Sequence, residues 1–142
     1  MTADRAPTVP QGLTEEQFAR LSIRVRRAAG HLGRDIRVQG SRAAWNARPD
    51  SDLDIAIRVS DSEFESILQG AFGAPNPGSA KARTRQHALE TGKIQSGELR
   101  LRALRQSLST EFGMRIDISV VCVGRAFDRG PWIPLRHPEA EP

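Results

Sequence analysis

The segment 53–59, LDIAIRV, alternates strictly: Leu53, Ile55, Ile57 and Val59 share one parity, and Asp52, Asp54, Ala56 and Arg58 share the other. Period-two alternation over this length means a strand with one buried face. Residues 115–123, RIDISVVCV, repeat the pattern, with Ile116, Ile118, Val120 and Cys122 set against Arg115, Asp117, Ser119 and Val121. Residues 35–39, DIRVQ, give a shorter third strand. Helical periodicity lies between these segments. The expected fold is therefore α/β, a small mixed central sheet with helices packed mainly on one side.

The helices announce themselves by caps and apolar stripes. Thr14 with Gln17 three residues on reads as a capping box. Phe18, Leu21, Val25, Ala29 and Leu32 follow at helical spacing, and Gly30 and Gly33 end the run. Ser60 and Glu63 form a second box, ahead of a stripe of Phe64, Ile67 and Leu68 that stops at Gly70. Residues 42–51 read as a short helix and a turn at Pro49-Asp50, and 70–79 as a loop. From 80 to 108 the pattern is helical with breaks near Gly92 and Gly97, and from 125 an irregular extension is expected. The length of 142 residues suits one domain. It is placed at 13–135, with flexible tails over 1–12 and 136–142.

Charge and cysteine content narrow the function classes. Lys and Arg number 21 against 17 Asp and Glu, a formal +4. The acids offset most of the bases, so this is not a chain that coats nucleic acid on charge alone. One cysteine excludes an internal disulfide and a Cys-based zinc site. Cys122 sits on the apolar parity and reads as an inert core residue. His31, His87 and His137 lack metal-ligand spacing. No apolar run approaches the ~20 residues of a membrane span, and 1–10 carries no secretory apolar region. A cytoplasmic protein without a membrane partner is expected.

The chemistry concentrates in 40–55, GSRAAWNARPDSDLDI. Asp52 and Asp54 are two residues apart where a strand begins, so they project from one face roughly 7 Å apart. Such carboxylates repel unless a cation lies near, and hard divalent ions take oxygen donors of this kind. Asp117 has the matching parity on the later strand. If both strands bury their aliphatic faces on one side, all three aspartates emerge on the other. Gly40 leaves a strand and lets backbone N–H groups approach a phosphate. Ser41 adds a hydroxyl, and a helix starting there would offer its positive end to the same anion.

The pattern G-S-(x)10-D-x-D, as Gly40-Ser41, Asp52 and Asp54, resembles the nucleotidyltransferase superfamily that includes DNA polymerase β and the minimal nucleotidyltransferases. VQGSRAAWNARPDSDLDIAIRV is similar to the family's signature across its length, and Asp117 fits its third carboxylate. ALETGKIQSGELRLRALRQ, RIDISVV and FDRGPWIPL further resemble toxin domains of bacterial polymorphic secretion systems. Two departures stand out. Trp45 occupies a position usually held by glycine, and the basic 75–105 region lengthens the interval before Asp117.

What the resemblance implies is specific. A nucleoside monophosphate would pass from a triphosphate to an acceptor hydroxyl on a protein, an RNA end or a small molecule, releasing pyrophosphate. Asp52, Asp54 and Asp117 would hold two Mg²⁺ ions, with Mn²⁺ able to substitute, and Asp117 would also serve as base. Gly40 and Ser41 would grip the β and γ phosphates. Lys81, Arg83, Arg85 and Lys93, on the basic side of the insertion, would meet the acceptor. A toxin would also have a cognate antitoxin or immunity protein. The competing reading is a binding or regulatory domain that keeps the fold without turnover, with Trp45 obstructing the triphosphate path. Each residue also has a plainer use: Asp52 and Asp54 in a solvated turn, Ser41 as a helix cap, Lys93 and the basic face as solvated surface, Trp45 in packing, and Trp132 as an anchor for the C-terminal segment.

Overall fold

A computed structural model describes residues 7–137. The chain runs α1 (Glu15–Ala29), β1 (Asp35–Gln39), α2 (Ser41–Ala44), β2 (Leu53–Val59), α3 (Asp61–Phe72), α4 (Ala80–Thr91), β3 (Lys93–Gln95), α5 (Arg102–Phe112), β4 (Ile116–Cys122) and β5 (Ile133–Pro134). The five strands form one mixed sheet in the order β3-β4-β2-β1-β5. β2 and β4 are parallel, and the other neighbours are antiparallel. A parallel pair needs a long crossover, here supplied by α3, α4, β3 and α5.

The alternation read from the sequence decides which face is buried. Ile36 and Val38, the odd-numbered residues of β2, and Ile116, Ile118, Val120 and Cys122 form one core cluster. Phe18, Leu21 and Val25 of α1, Phe64, Leu68 and Phe72 of α3, and Leu108 and Phe112 of α5 close over it. Both capping boxes form. Burial and Asp61 push the Cys122 thiol up to about 11, so it stays protonated and donates to Asp61 Oδ1 at 2.9 Å. Among the described residues no helix is long and apolar enough to cross a membrane.

Several expectations change. α3 runs through Gly70 to Phe72 and ends at Gly73, because burying Phe72 outweighs the ~1 kcal/mol penalty of a helical glycine. Gly92, read as a break, caps α4 in the left-handed conformation at φ 74°. The chain then pairs as β3 with the outer edge of β4. The C-terminal extension contains β5, which borders β1. Residues 9–12, expected within a flexible tail, are tied to the loop after α2. Gln11 exchanges two hydrogen bonds with the Ala47 backbone, and Trp45 Nε1 donates to Val9 O at 2.8 Å. Arg136, expected in the second tail, donates its backbone N–H to Ser22 Oγ. The remaining tail positions, 1–6 and 138–142, lie outside the described residues.

The opposite face of the sheet is polar and divides in two. At one end Arg58 is clamped by Asp128, at 2.6 and 2.9 Å, and by Asp35 at 2.9 Å. Arg58 and Arg37 both lie over the Trp132 ring, at 4.2 and 4.6 Å, so Trp132 does anchor the C-terminal segment. The other end carries the aspartates.

Candidate active site

Register brings the aspartates together. Asp54 on β2 is the direct partner of Asp117 on parallel β4, and Gln39 on β1 is the partner of Asp54 on its other side. Neighbouring strands lie roughly 4.8 Å apart, so Gln39, Asp54 and Asp117 form one row across the polar face. Asp52 lies on the same parity just before β2. Among the described residues, no donor hydrogen-bonds to the carboxylate of Asp52 or Asp54. Burial, with the Asp52 and Asp117 charges, raises Asp54 to about 6, against a smaller opposing effect of Lys93. The half-buried carboxylate is thus held in a field short of positive charge. Among the described residues no group of three or more His, Cys, Asp and Glu side chains is close enough to hold a metal ion. The aspartates share a face without converging on one point. As a donor set, three carboxylates are of the chemical kind that hard divalent cations take.

Gly40 is built for this place. Its φ of 84° and ψ of −158° lie in a region open essentially to glycine alone. A Cβ there would stand 2.8 Å from Asp54 Oδ2. Gly40→Ala should therefore cost about 1–3 kcal/mol in backbone strain and displace the Asp54 carboxylate. Urea unfolding checks this, and a midpoint equal to wild type would mean the turn is not held as described. α2 is only four residues long, so the expected contribution of a helix end is slight. The groups this turn offers to an anion are the Gly40 backbone N–H and the Ser41 hydroxyl.

The loop from α2 to β2 has a buried organiser that sequence reading passed over. Arg42, 4% exposed, donates from Nε to Ser51 O at 3.0 Å, from Nη1 to Gln11 O at 2.9 Å and from Nη2 to Pro49 O at 3.1 Å. It fixes the chain immediately before Asp52. Trp45 closes α2 in the left-handed conformation at φ 59°, a geometry in which glycine would be free of strain. Its side chain is half exposed and lines neither cavity beside the aspartates.

Two cavities meet at Asp117. The smaller, about 240 Å³, holds Gln39, Asp54, Lys93 and Phe127. Lys93 stands 4.7 Å from the Phe127 ring centre, and Gln39 Nε2 donates to Phe127 O at 2.9 Å, leaving Gln39 Oε1 buried without a partner. The larger, about 650 Å³, has Asp52 and Asp117 in its wall with Arg105, Arg115, Gln106 and Thr110. Of the bases expected to meet an acceptor, Lys93 lines the smaller cavity with Asp54 and Asp117, whereas Lys81, Arg83 and Arg85 line neither cavity. Arg83 instead donates to Gly78 O at 2.8 Å. Arg105, Arg115 and Phe127 were not distinguished as site residues by the sequence, where they look like ordinary surface positions.

Comparison with protein-family models, curated proteins and solved structures gave no match.

Proposed function

We propose that this chain is a metal-dependent nucleotidyltransferase that moves a nucleoside monophosphate from a triphosphate to an acceptor hydroxyl. The observation that carries the reading is the side-by-side register of Asp54 and Asp117, with Asp52 on the same face and Gly40 pressed against Asp54. Asp52, Asp54 and Asp117 would hold Mg²⁺, which neutralises triphosphate charge and makes an acceptor hydroxyl more acidic. The missing Cβ of Gly40 lets the Asp54 carboxylate sit against this turn, and the Ser41 hydroxyl would donate to a phosphate held there. Asp117 stands in the wall of both cavities and takes the acceptor's proton on a carboxylate oxygen. The acceptor oxygen bonds to the α-phosphorus as the α–β bridging P–O bond breaks. Pyrophosphate leaves with that electron pair. A toxin role, with an antitoxin or immunity protein as partner, is supported by sequence resemblance alone.

Calorimetric titration with ATP, CTP, GTP and UTP, with Mg²⁺ and with EDTA, tests the reading. At least one triphosphate should bind with Mg²⁺ and release with EDTA. Failure of all four, or binding indifferent to the metal, would overturn it and leave the binding or regulatory domain as the alternative.

Ser41→Ala should weaken triphosphate binding about ten-fold and monophosphate binding far less. A lost hydrogen bond to a charged group costs about 1.5–3 kcal/mol, and about 1.4 kcal/mol is one decade of affinity. Equal losses for the two ligands would assign Ser41 to the turn alone.

A further inference from the structure

The larger cleft sets two arginines beside the aspartates, and neither is tied up as the buried ones are, Arg42 by three carbonyls and Arg58 by two aspartates. Arg105 is half-buried, and its Nη1 stands 3.8 Å from Asp117 Oδ1, too long for a hydrogen bond. Among the described residues the Arg115 guanidinium has no hydrogen bond or ion pair. Ser109 holds the two arginine-bearing elements together. Its Oγ donates to Arg105 O at 2.8 Å and accepts from Ile116 N–H at 3.0 Å, so Arg105 on α5 is fixed against the start of β4, next to Arg115 and Asp117.

One guanidinium fork without a partner, Arg115, and one held only by a long ion pair, Arg105, suit a ligand with an anionic group next to a reacting one. The fork geometry matches phosphate oxygens bidentately. Gln106 and Thr110 add neutral hydrogen-bonding groups at the same wall, where Ile116 is the one aliphatic side chain and no aromatic ring stands. A base would find no aromatic ring to stack on, whereas a phosphate would find both arginines.

We propose that Arg105 and Arg115 bind a phosphate ester of the second substrate and so hold its hydroxyl beside Asp117. The acceptor role rests on the transferase reading above, but the phosphate site does not. The ester is either a nucleic-acid backbone phosphate or that of a small phosphorylated molecule.

The test uses the full chain, ¹⁵N-labelled, in EDTA, titrated with hexauridylate RNA and separately with ribose 5-phosphate at low and moderate salt. At least one probe should shift the Thr110 and Ile116 amides. Arg105→Gln with Arg115→Gln should weaken that probe about a hundred-fold, near ten-fold for each arginine, while Mg-triphosphate affinity stays at the wild-type value. Tight hexauridylate binding that falls steeply with salt, with a shallower slope in the double variant, identifies a backbone phosphate. Ribose 5-phosphate bound as tightly as the RNA identifies a small phosphorylated molecule. Unshifted Thr110 and Ile116 amides with both probes, or equal affinities for wild type and double variant, would overturn the proposal. So would a hundred-fold loss of Mg-triphosphate affinity in the double variant, which would give the cleft to the triphosphate. Wild type that binds a phosphate ester here but no Mg-triphosphate would sink the transferase reading and leave the phosphate site standing. Wild type that binds Mg-triphosphate but no ester would do the reverse.

Discussion

Asp54→Asn is expected to reduce nucleotidyl transfer by at least about a hundred-fold while leaving the metal-free protein as stable as wild type or more so. On the proposed function, the activity loss would follow from removing a carboxylate that holds a metal ion contributing several kcal/mol, each ~1.4 kcal/mol being a decade. The stability effect follows from burial of the carboxylate and, after it, repulsion. Burial first, then Asp52 and Asp117, raise Asp54 from 3.8 to about 6, so the folded protein binds its proton more tightly than the unfolded chain does. Below pH 4 both states are protonated and this effect is absent. Between pH 4 and 6 the unfolded state ionises first, so Asp54 subtracts stability as pH rises, and above about 6 the loss is complete. Unfolding midpoints in EDTA across this range should fall more steeply for wild type than for Asp54→Asn. A variant with near-full activity, or one that follows the wild-type pH profile, would contradict the role given to Asp54.

Arg42→Ala should be the most destabilising single substitution near the site, by about 3 kcal/mol or more. It strips partners from the carbonyls of Gln11, Pro49 and Ser51, and hydrogen bonds from a charged donor contribute about 1.5–3 kcal/mol each. Arg42→Lys should recover only part of this, since an ammonium cannot reproduce the planar fork. The loop before Asp52 would lose its anchor, so triphosphate binding should fall too. Urea unfolding of both variants measures the effect. An Arg42→Ala midpoint within error of wild type would mean that Asp52 is positioned by something else.

The contrast between Asp54 and Arg105 shows where sequence stops being legible. Parity alone put Asp52, Asp54 and Asp117 on one face, because a strand's side chains have no third option, and the parallel β2–β4 register then made Asp54 and Asp117 neighbours. Arg105 and Arg115 look in the sequence like any exposed base. They meet only because α5 packs against β4 through Leu108 and Ser109, a consequence of tertiary packing with no local signature. β3 escaped for a related reason. Three residues, Lys93–Gln95, have little period of their own, and they become a strand because Gly92 turns the chain back onto β4. β5 is two residues with a proline at the sheet edge, too short to read as a strand. Gly70 misled in the other direction, since the burial of Phe72 carried α3 past it.

The central claim is tested most directly by following the α-phosphate. The purified chain is incubated with Mg²⁺, a whole-cell lysate and each of the four nucleoside triphosphates, labelled at the α-phosphate in one series and at the γ-phosphate in the other. With at least one nucleotide, α-label should become covalently attached to an acceptor while γ-label does not, and EDTA should abolish attachment. Attachment of γ-label, or no attachment from any of the four, would contradict the account.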